Sequence, residues 1–469
     1  MKAHRFTGLL IVFSAILSAA APETGSWKYW LEEPEMYSDT SSYGYRTSGS
    51  YSDGDLKRAF APSLSRSLSG TTWGRTITSG GLEVTGIFRY THRSEDERAL
   101  IHDRMPYGPI PVLLADSSVT GTRMQRFELY SDLRKKFRKL ETGLSVRYAV
   151  DDGWHTVFPK SENKHVDRIL TASILFPSRN KSLGITVSGF SFQEILTTSP
   201  YQLDQDLSPV FLRISGLDYP VILRGSGSIE RLKVHEGISA SLDYSFGPGK
   251  ISVYREISDG SAEDGGAYRE PMGTWKAERS GAEFAVQPLP FLNIEVNAIL
   301  TDLDAFHPNL DLNIFRFEQR VLAGSADWMM NSGASLKLDI SSLAELSDDL
   351  FTGSRRYFHV LDAGLTYRGK LFRTGNHRLN ISAGVAHREP LETIFQTVDN
   401  ANWYFSDYIA YDRDYYNDPV NSFTLGPEWT VAGTAYTYSV QCSYSELRTA
   451  GYETTNRSVT LALSVSKSN

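Results

Sequence analysis

Between Leu140 and Val150 the chain reads LETGLSVRYAV, and its hydrophobic positions fall on every second residue. Leu144, Val146, Tyr148 and Val150 take one parity; Gly143, Ser145, Arg147 and Ala149 take the other. Successive side chains of a strand point to opposite faces, so this segment predicts a strand with one greasy face and one small or polar face. The pattern returns near the C-terminus. Tyr436, Tyr438, Val440, Cys442 and Tyr444 oppose Thr437, Ser439, Gln441, Ser443 and Ser445. Val459, Leu461, Leu463 and Val465 oppose Ser458, Thr460, Ala462 and Ser464, and Leu292, Ile294 and Val296 oppose Asn293, Glu295 and Asn297.

Soluble sandwiches alternate in the same way, so the connections must separate the fold classes. The alternation marks about sixteen candidate strands, the first near residues 80–93 and the last near 455–467. Tight turns join some of them: FRKLE at Phe137–Glu141, GPGK at Gly247–Lys250, QPLPF at Gln287–Phe291, MNSG at Met330–Gly333 and AGT at Ala432–Thr434. Longer excursions lie between, at about 94–122, 153–164, 196–227, 258–269, 304–312, 346–356 and 390–417. Short turns at one end and long loops at the other are the rhythm of an outer-membrane barrel. The expected fold is therefore all-β, a transmembrane antiparallel up-and-down β-barrel of about sixteen strands, with fourteen to eighteen compatible.

The N-terminus adds an address. Lys2 and Arg5 precede an apolar run from Gly8 to Leu17, and Ser18-Ala19-Ala20 offers a small-residue cleavage site, so residues 1–20 read as a signal peptide. Residues 21–70 include the Ser-, Tyr- and Gly-rich stretch Met36–Asp55, which shows no clear period and reads as a tether or a plug. Residues 71–469 are then the barrel. The single cysteine, Cys442, cannot form an internal disulfide.

The formal charge is −7, which argues against nucleic acid as a partner. The expected surroundings are outer-membrane lipid and lipopolysaccharide. The inward parity carries Arg126, Glu128, Asp132, Arg134, Arg147, Lys337 and Asp339, a mixture of signs that predicts ion pairs across the lumen wall. Trp154 is expected at the outer end of its strand, and Trp328 and Trp429 at inner ends.

The segment PYGPIPVLLADSSVTGTRMQRFELYSDL, Pro106–Leu133, followed after a strand pair by FPKSENKHVDRILTASI, Phe158–Ile174, resembles an uncharacterised group of outer-membrane β-barrel proteins from Bacteroidota. Members of that group are often encoded near TonB-dependent receptors. The resemblance implies an outer-membrane location and a receptor or a surface lipoprotein as partner. It implies no catalytic residues. The chain departs from many barrels by ending Ser466-Lys467-Ser468-Asn469 rather than in an aromatic.

Candidate chemistry is sparse. Tyr404–Pro419, YFSDYIAYDRDYYNDP, gathers aromatics and carboxylates. Asp412, Asp414, Asn417 and Asp418 offer oxygen ligands, but the spacing lacks the glycine and terminal glutamate of a calcium loop, so no metal is assigned. Asp412, Asp414, Asp418, Tyr415 and Tyr416 are read instead as an extracellular contact loop. His92, His155, His165, His307 and His387 fall near outer strand ends, with no G-x-S-x-G, H-E-x-x-H or P-loop beside them. No cofactor is expected. The expectation is a non-enzymatic barrel accessory to nutrient or metal-chelate uptake, with a passive diffusion porin, then a hydrolase or adhesin, as alternatives.

Overall fold

The computed structural model describes residues 42–54, 62–101, 112–155, 161–198, 211–217, 219–223, 229–266, 268–330, 332–396, 410–433, 436–449 and 455–468. The described strands are β1 (Ser42–Gly54), β2 (Leu64–Ile77), β3 (Leu82–Ile101), β4 (Val112–Lys136), β5 (Glu141–His155), β6 (Ser161–Ser178), β7 (Lys181–Thr198), β8 (Phe211–Ser215), β9 (Tyr219–Leu223) and β10 (Ile229–Phe246). They continue as β11 (Gly249–Asp264), β12 (Glu270–Leu289), β13 (Leu292–His307), β14 (Leu312–Met329), β15 (Ser335–Asp349), β16 (Arg355–Thr374), β17 (His377–Gln396), β18 (Val420–Ala432), β19 (Thr437–Thr449) and β20 (Thr455–Ser468). One described helix, α1 (Ala410–Asn417), precedes β18.

Each barrel strand pairs antiparallel with the next in the chain, and β7 passes over the short β8–β9 hairpin to pair with β10. β20 returns to β1 in register from Ser42↔Ser468 to Gly54↔Asn456, which closes a barrel of 18 strands. Closure gives each of the 18 wall strands a partner on both sides, as a wall against hydrocarbon requires. The outer face is apolar for the reason the alternation gives: Leu129, Leu170, Ile238, Leu322 and Leu461 all stand exposed there. Trp328 and Trp429 are exposed near the tight-turn ends of β14 and β18, at the expected level of an interfacial aromatic girdle.

Among the described residues the barrel wall already includes Ser42, ahead of residue 71. The described part of the segment read as a tether or plug is largely wall: β1 pairs with β2 along Ser42↔Arg75 to Asp53↔Leu64, and β2 enters that segment from Leu64. The pattern was hidden because the outward residues of β1 are Tyr43, Tyr45, Thr47, Gly49 and Tyr51 rather than aliphatics, set against inward serines. Residues 21–41 and the signal-peptide segment lie outside the described residues. Several excursions also shrink, because β3 runs to Ile101, β13 runs to His307 and β17 runs to Gln396. Above the apolar belt both faces of a strand are wet, so the period that marks it disappears while the ladder continues.

One inward contact at the closing seam is specific. The indole of Trp73 on β2 fills the space a side chain at Gly44 on β1 would need, with Ile87 and Tyr130 packed behind it. Gly44→Leu should overpack this seat and cost about 1–3 kcal/mol. The expected readout is a lower temperature at which unboiled protein loses its folded mobility on a denaturing gel.

Candidate functional site: the capped outer mouth

The lumen wall carries paired charge on β4–β6 and again on β15. Arg126 donates to Asp151 at 3.1 Å and to Asp167 at 3.0 Å, and Arg147 donates to Glu128 at 2.6 Å. Arg134 donates to Asp132 at 2.6 Å, and Lys337 lies 2.7 Å from Asp339. The inward alternation therefore placed these groups correctly; Arg126 and Arg147 pair across adjacent strands, and Arg134 and Lys337 pair two residues along their own strands. His165 bonds Asp167 through Nε2 and begins a row of rings. Its neighbours Phe192, His235 and Trp275 follow in near-parallel stacks, and Trp275 Nε1 donates to His235 Nδ1 at 3.0 Å. His235, in the middle of that row, falls between Val234 and Glu236 in sequence and carries no signal that would single it out.

Between these charged sectors, across the closing seam, the lumen wall is hydroxyl. On β19, β20, β1 and β2 the inward residues are mostly serine and threonine. Their side chains meet across strands: Ser48 and Ser69 at 2.7 Å, Ser50 and Ser67 at 2.7 Å, Ser439 and Ser464 at 2.6 Å, and Ser445 and Ser458 at 2.6 Å.

The outer mouth is built over by two inserts. Above the end of β5, the free edge of β4 is taken by β8, in register Val112↔Ser215 to Asp116↔Phe211, and β8 pairs with β9. This three-stranded flap carries Val112 and Leu217 into a buried cluster with Met272, Trp275, Leu303 and Phe317. Those four residues come from β12, β13 and β14. In the strand order β4 and β13 stand on nearly opposite sides of the barrel, so these contacts carry the flap across the mouth. The burial is a small hydrophobic core, formed inside a barrel that would otherwise be wet.

Two carboxylates latch the flap. Asp264, at the end of β11, accepts two bonds from Arg231 at 2.6 and 2.9 Å, and one from Arg213 of β8 at 2.9 Å. Asp349, at the end of β15, accepts the Leu217 backbone N–H at 2.9 Å and those of Phe351 and Thr352 at 3.0 Å. Gly216 makes this approach feasible: its φ of 73° suits glycine, and the Asp349 carboxylate occupies the space a side chain there would need.

Helix α1 is the second insert, and it revises the reading of the aspartate-rich stretch. Asp412 is 1% exposed and accepts from Arg356 Nη1 at 2.9 Å, while Arg356 Nη2 bonds Glu345 at 2.9 Å. Tyr416 is 2% exposed and stacks on Phe358 at 3.7 Å, beside Leu343 and Val360. Arg388, held by Asp362 at 3.0 Å, lies over Tyr415 at 5.5 Å. Asp412 and Tyr416 are thus turned onto the inner wall of β15–β16, not outward to a contact surface. The helical spacing of four residues puts both on one face, which the expectation of a loop obscured. Asp418 is half-buried at the foot of the helix. The Asp414 side chain lies outside the described residues.

Of the rim histidines, His387 faces outward between Asn421 at 2.9 Å and Glu389 at 3.0 Å, whereas His155 and His165 are buried. Sequence reasoning passed over one pair: Ser342 Oγ lies 2.8 Å from His359 Nε2 on adjacent strands. Among the described residues no group hydrogen-bonds the other ring nitrogen of His359, so the pair lacks the orienting member of a catalytic triad. Among the described residues no group of three or more His, Cys, Asp or Glu is placed to hold a metal ion.

The chain is similar in fold to several outer-membrane proteins of known structure. These include the ferric yersiniabactin uptake receptor FyuA from Yersinia pestis, at 12% identity and TM-score 0.48, covering 92% of this chain and 80% of that one. They also include the ferric citrate transporter FecA in its unliganded form, at 8% identity and TM-score 0.46, covering 90% and 78%. The outer membrane protein opdK from Pseudomonas aeruginosa matches at 9% identity and TM-score 0.41, covering 92% of this chain and 100% of that one. At these identities and scores the likeness carries nothing about activity or cargo. No curated protein matches the chain. Over residues 35–466 it matches one family model, and the chain belongs to that family of unknown function, DUF6850.

Proposed function

We propose that this protein is a non-enzymatic outer-membrane barrel with a capped lumen, accessory to the uptake of nutrients or metal chelates. The observation that carries the reading is the flap of β4, β8 and β9, latched across the mouth by Asp264 and Asp349. An 18-stranded barrel is wide enough to hold an aqueous channel, so an insert with its own apolar core is a device for keeping that channel shut. The apolar outer belt supports membrane residence, and the hydroxyl wall suits a hydrophilic solute. The partnership with a TonB-dependent receptor or surface lipoprotein rests on the family resemblance of Pro106–Leu133 and Phe158–Ile174.

Crosslinking in native outer membranes, followed by purification of this chain, tests the reading. A large receptor or a lipoprotein should be recovered at near-stoichiometric yield. Recovery of the chain alone from the outer membrane would favour the diffusion-porin reading, and recovery from the soluble periplasm would end both.

A further inference from the structure

We propose that the outer face of β11 and β12 is an interface with a second copy of this chain, the two barrels side by side about a two-fold axis parallel to the membrane normal. The starting point is a charge where hydrocarbon is expected. The outward residues of β11 run Ile251, Val253, Arg255, Ile257 and Asp259 from the tight turn upward, so Arg255 lies within the apolar run. Next to it on β10 stand Ile238 and Ala240. Its guanidinium donates to Glu278 Oε2 of β12 at 2.7 Å, and the two side chains are 62% and 58% exposed. A bare ion pair on the lipid face of a barrel is costly, more so the deeper it lies.

A two-fold axis between β11 and β12 removes that cost. Rotation by 180° brings Arg255 of one copy opposite Glu278 of the other, and Glu278 opposite Arg255. The patch is self-complementary, as an isologous contact requires, and each pair becomes part of a four-membered network screened from lipid. The same rotation sets the wall at β7 and β10 against β13 of the second copy. That wall is not convex: a hollow of about 1350 Å³ opens there, bordered by Tyr148, Leu170, Gly189, Ser191, Ile238 and Arg255. Leu300 stands half exposed on β13, the strand this rotation turns toward that wall.

The test is the mass of the purified full-length protein, by sedimentation in detergent and after reconstitution into lipid nanodiscs. Wild type should be a dimer. E278R, which sets four cations against one another, should raise the dimer dissociation constant at least tenfold. The double variant R255E/E278R keeps each pair with its charges exchanged and should restore the dimer. Folded gel mobility separates loss of the interface from loss of the barrel: if E278R does not fold, R255E/E278R and I257W carry the test, the latter expected to split the dimer by bulk. A wild-type monomer, or a dimer that E278R or I257W leaves intact, would overturn the proposal. Either result would leave the capped-lumen reading untouched, because the flap and α1 lie inside the barrel.

Discussion

Asp264→Ala is expected to unlatch the flap and turn a closed barrel into a conducting one. The carboxylate compensates two guanidinium groups, and one of them, Arg231, is 0% exposed. Removing one partner of a buried ion pair costs about 3–5 kcal/mol, because the remaining charge is left without solvent or counter-charge. Opening the flap lets water reach Arg231, so the cost falls on the closed state. Arg213 of β8 loses its bond at the same time. At 1.4 kcal/mol per factor of ten, the docking equilibrium should shift by roughly two to four powers of ten toward the open flap. Hydrogen exchange over residues 211–217 should rise sharply, while exchange in the belt-level strands β18–β20 stays slow. Uniform loss of protection across the barrel would show that Asp264 supports the wall and not the flap.

Arg356→Ala should release the second insert. That side chain joins Asp412 of α1 to Glu345 and Ser347 on β15, and both carboxylates are nearly inaccessible. Its loss takes the guanidinium shared by Asp412 and Glu345 from two buried carboxylates, again a cost of about 3–5 kcal/mol. The stack of Tyr416 on Phe358 opposes release, and an aromatic pair contributes only about 0.5–1.5 kcal/mol beyond its buried area. Limited proteolysis should therefore cut within 410–417 in the variant at concentrations that spare the wild type. Arg356→Lys should rescue only in part, since one ammonium cannot span both carboxylates as a planar fork does.

Much of the barrel was legible because strand period is a local signal. Segments such as Leu144–Val150 and Val459–Val465 carry the membrane's thickness in their own alternation, and turns such as Gly247–Lys250 mark where it stops. Lumenal pairs such as Arg147 with Glu128 were legible for the same reason, since parity fixes which face a charge takes. Two things were not. β1 hid because tyrosine and serine alternate without aliphatics, a composition that also marks tethers. The mouth hid because its contacts join distant parts of the chain: Leu217 with Asp349, Val112 with Leu303. Nothing local in VLLADS says that Val112 will cross a lumen. The Asp412–Tyr416 face needed one further fact, that the stretch is helical where a loop was expected.

The central claim is that the lumen is held shut at its outer mouth, and ionic conductance in planar bilayers measures it most directly. The wild-type protein should insert without a steady open level, and the D264A/R356A double variant should show long-lived openings of one unit size. A wild type that conducts steadily, at the same level as the double variant, would contradict the claim and leave an open porin in its place.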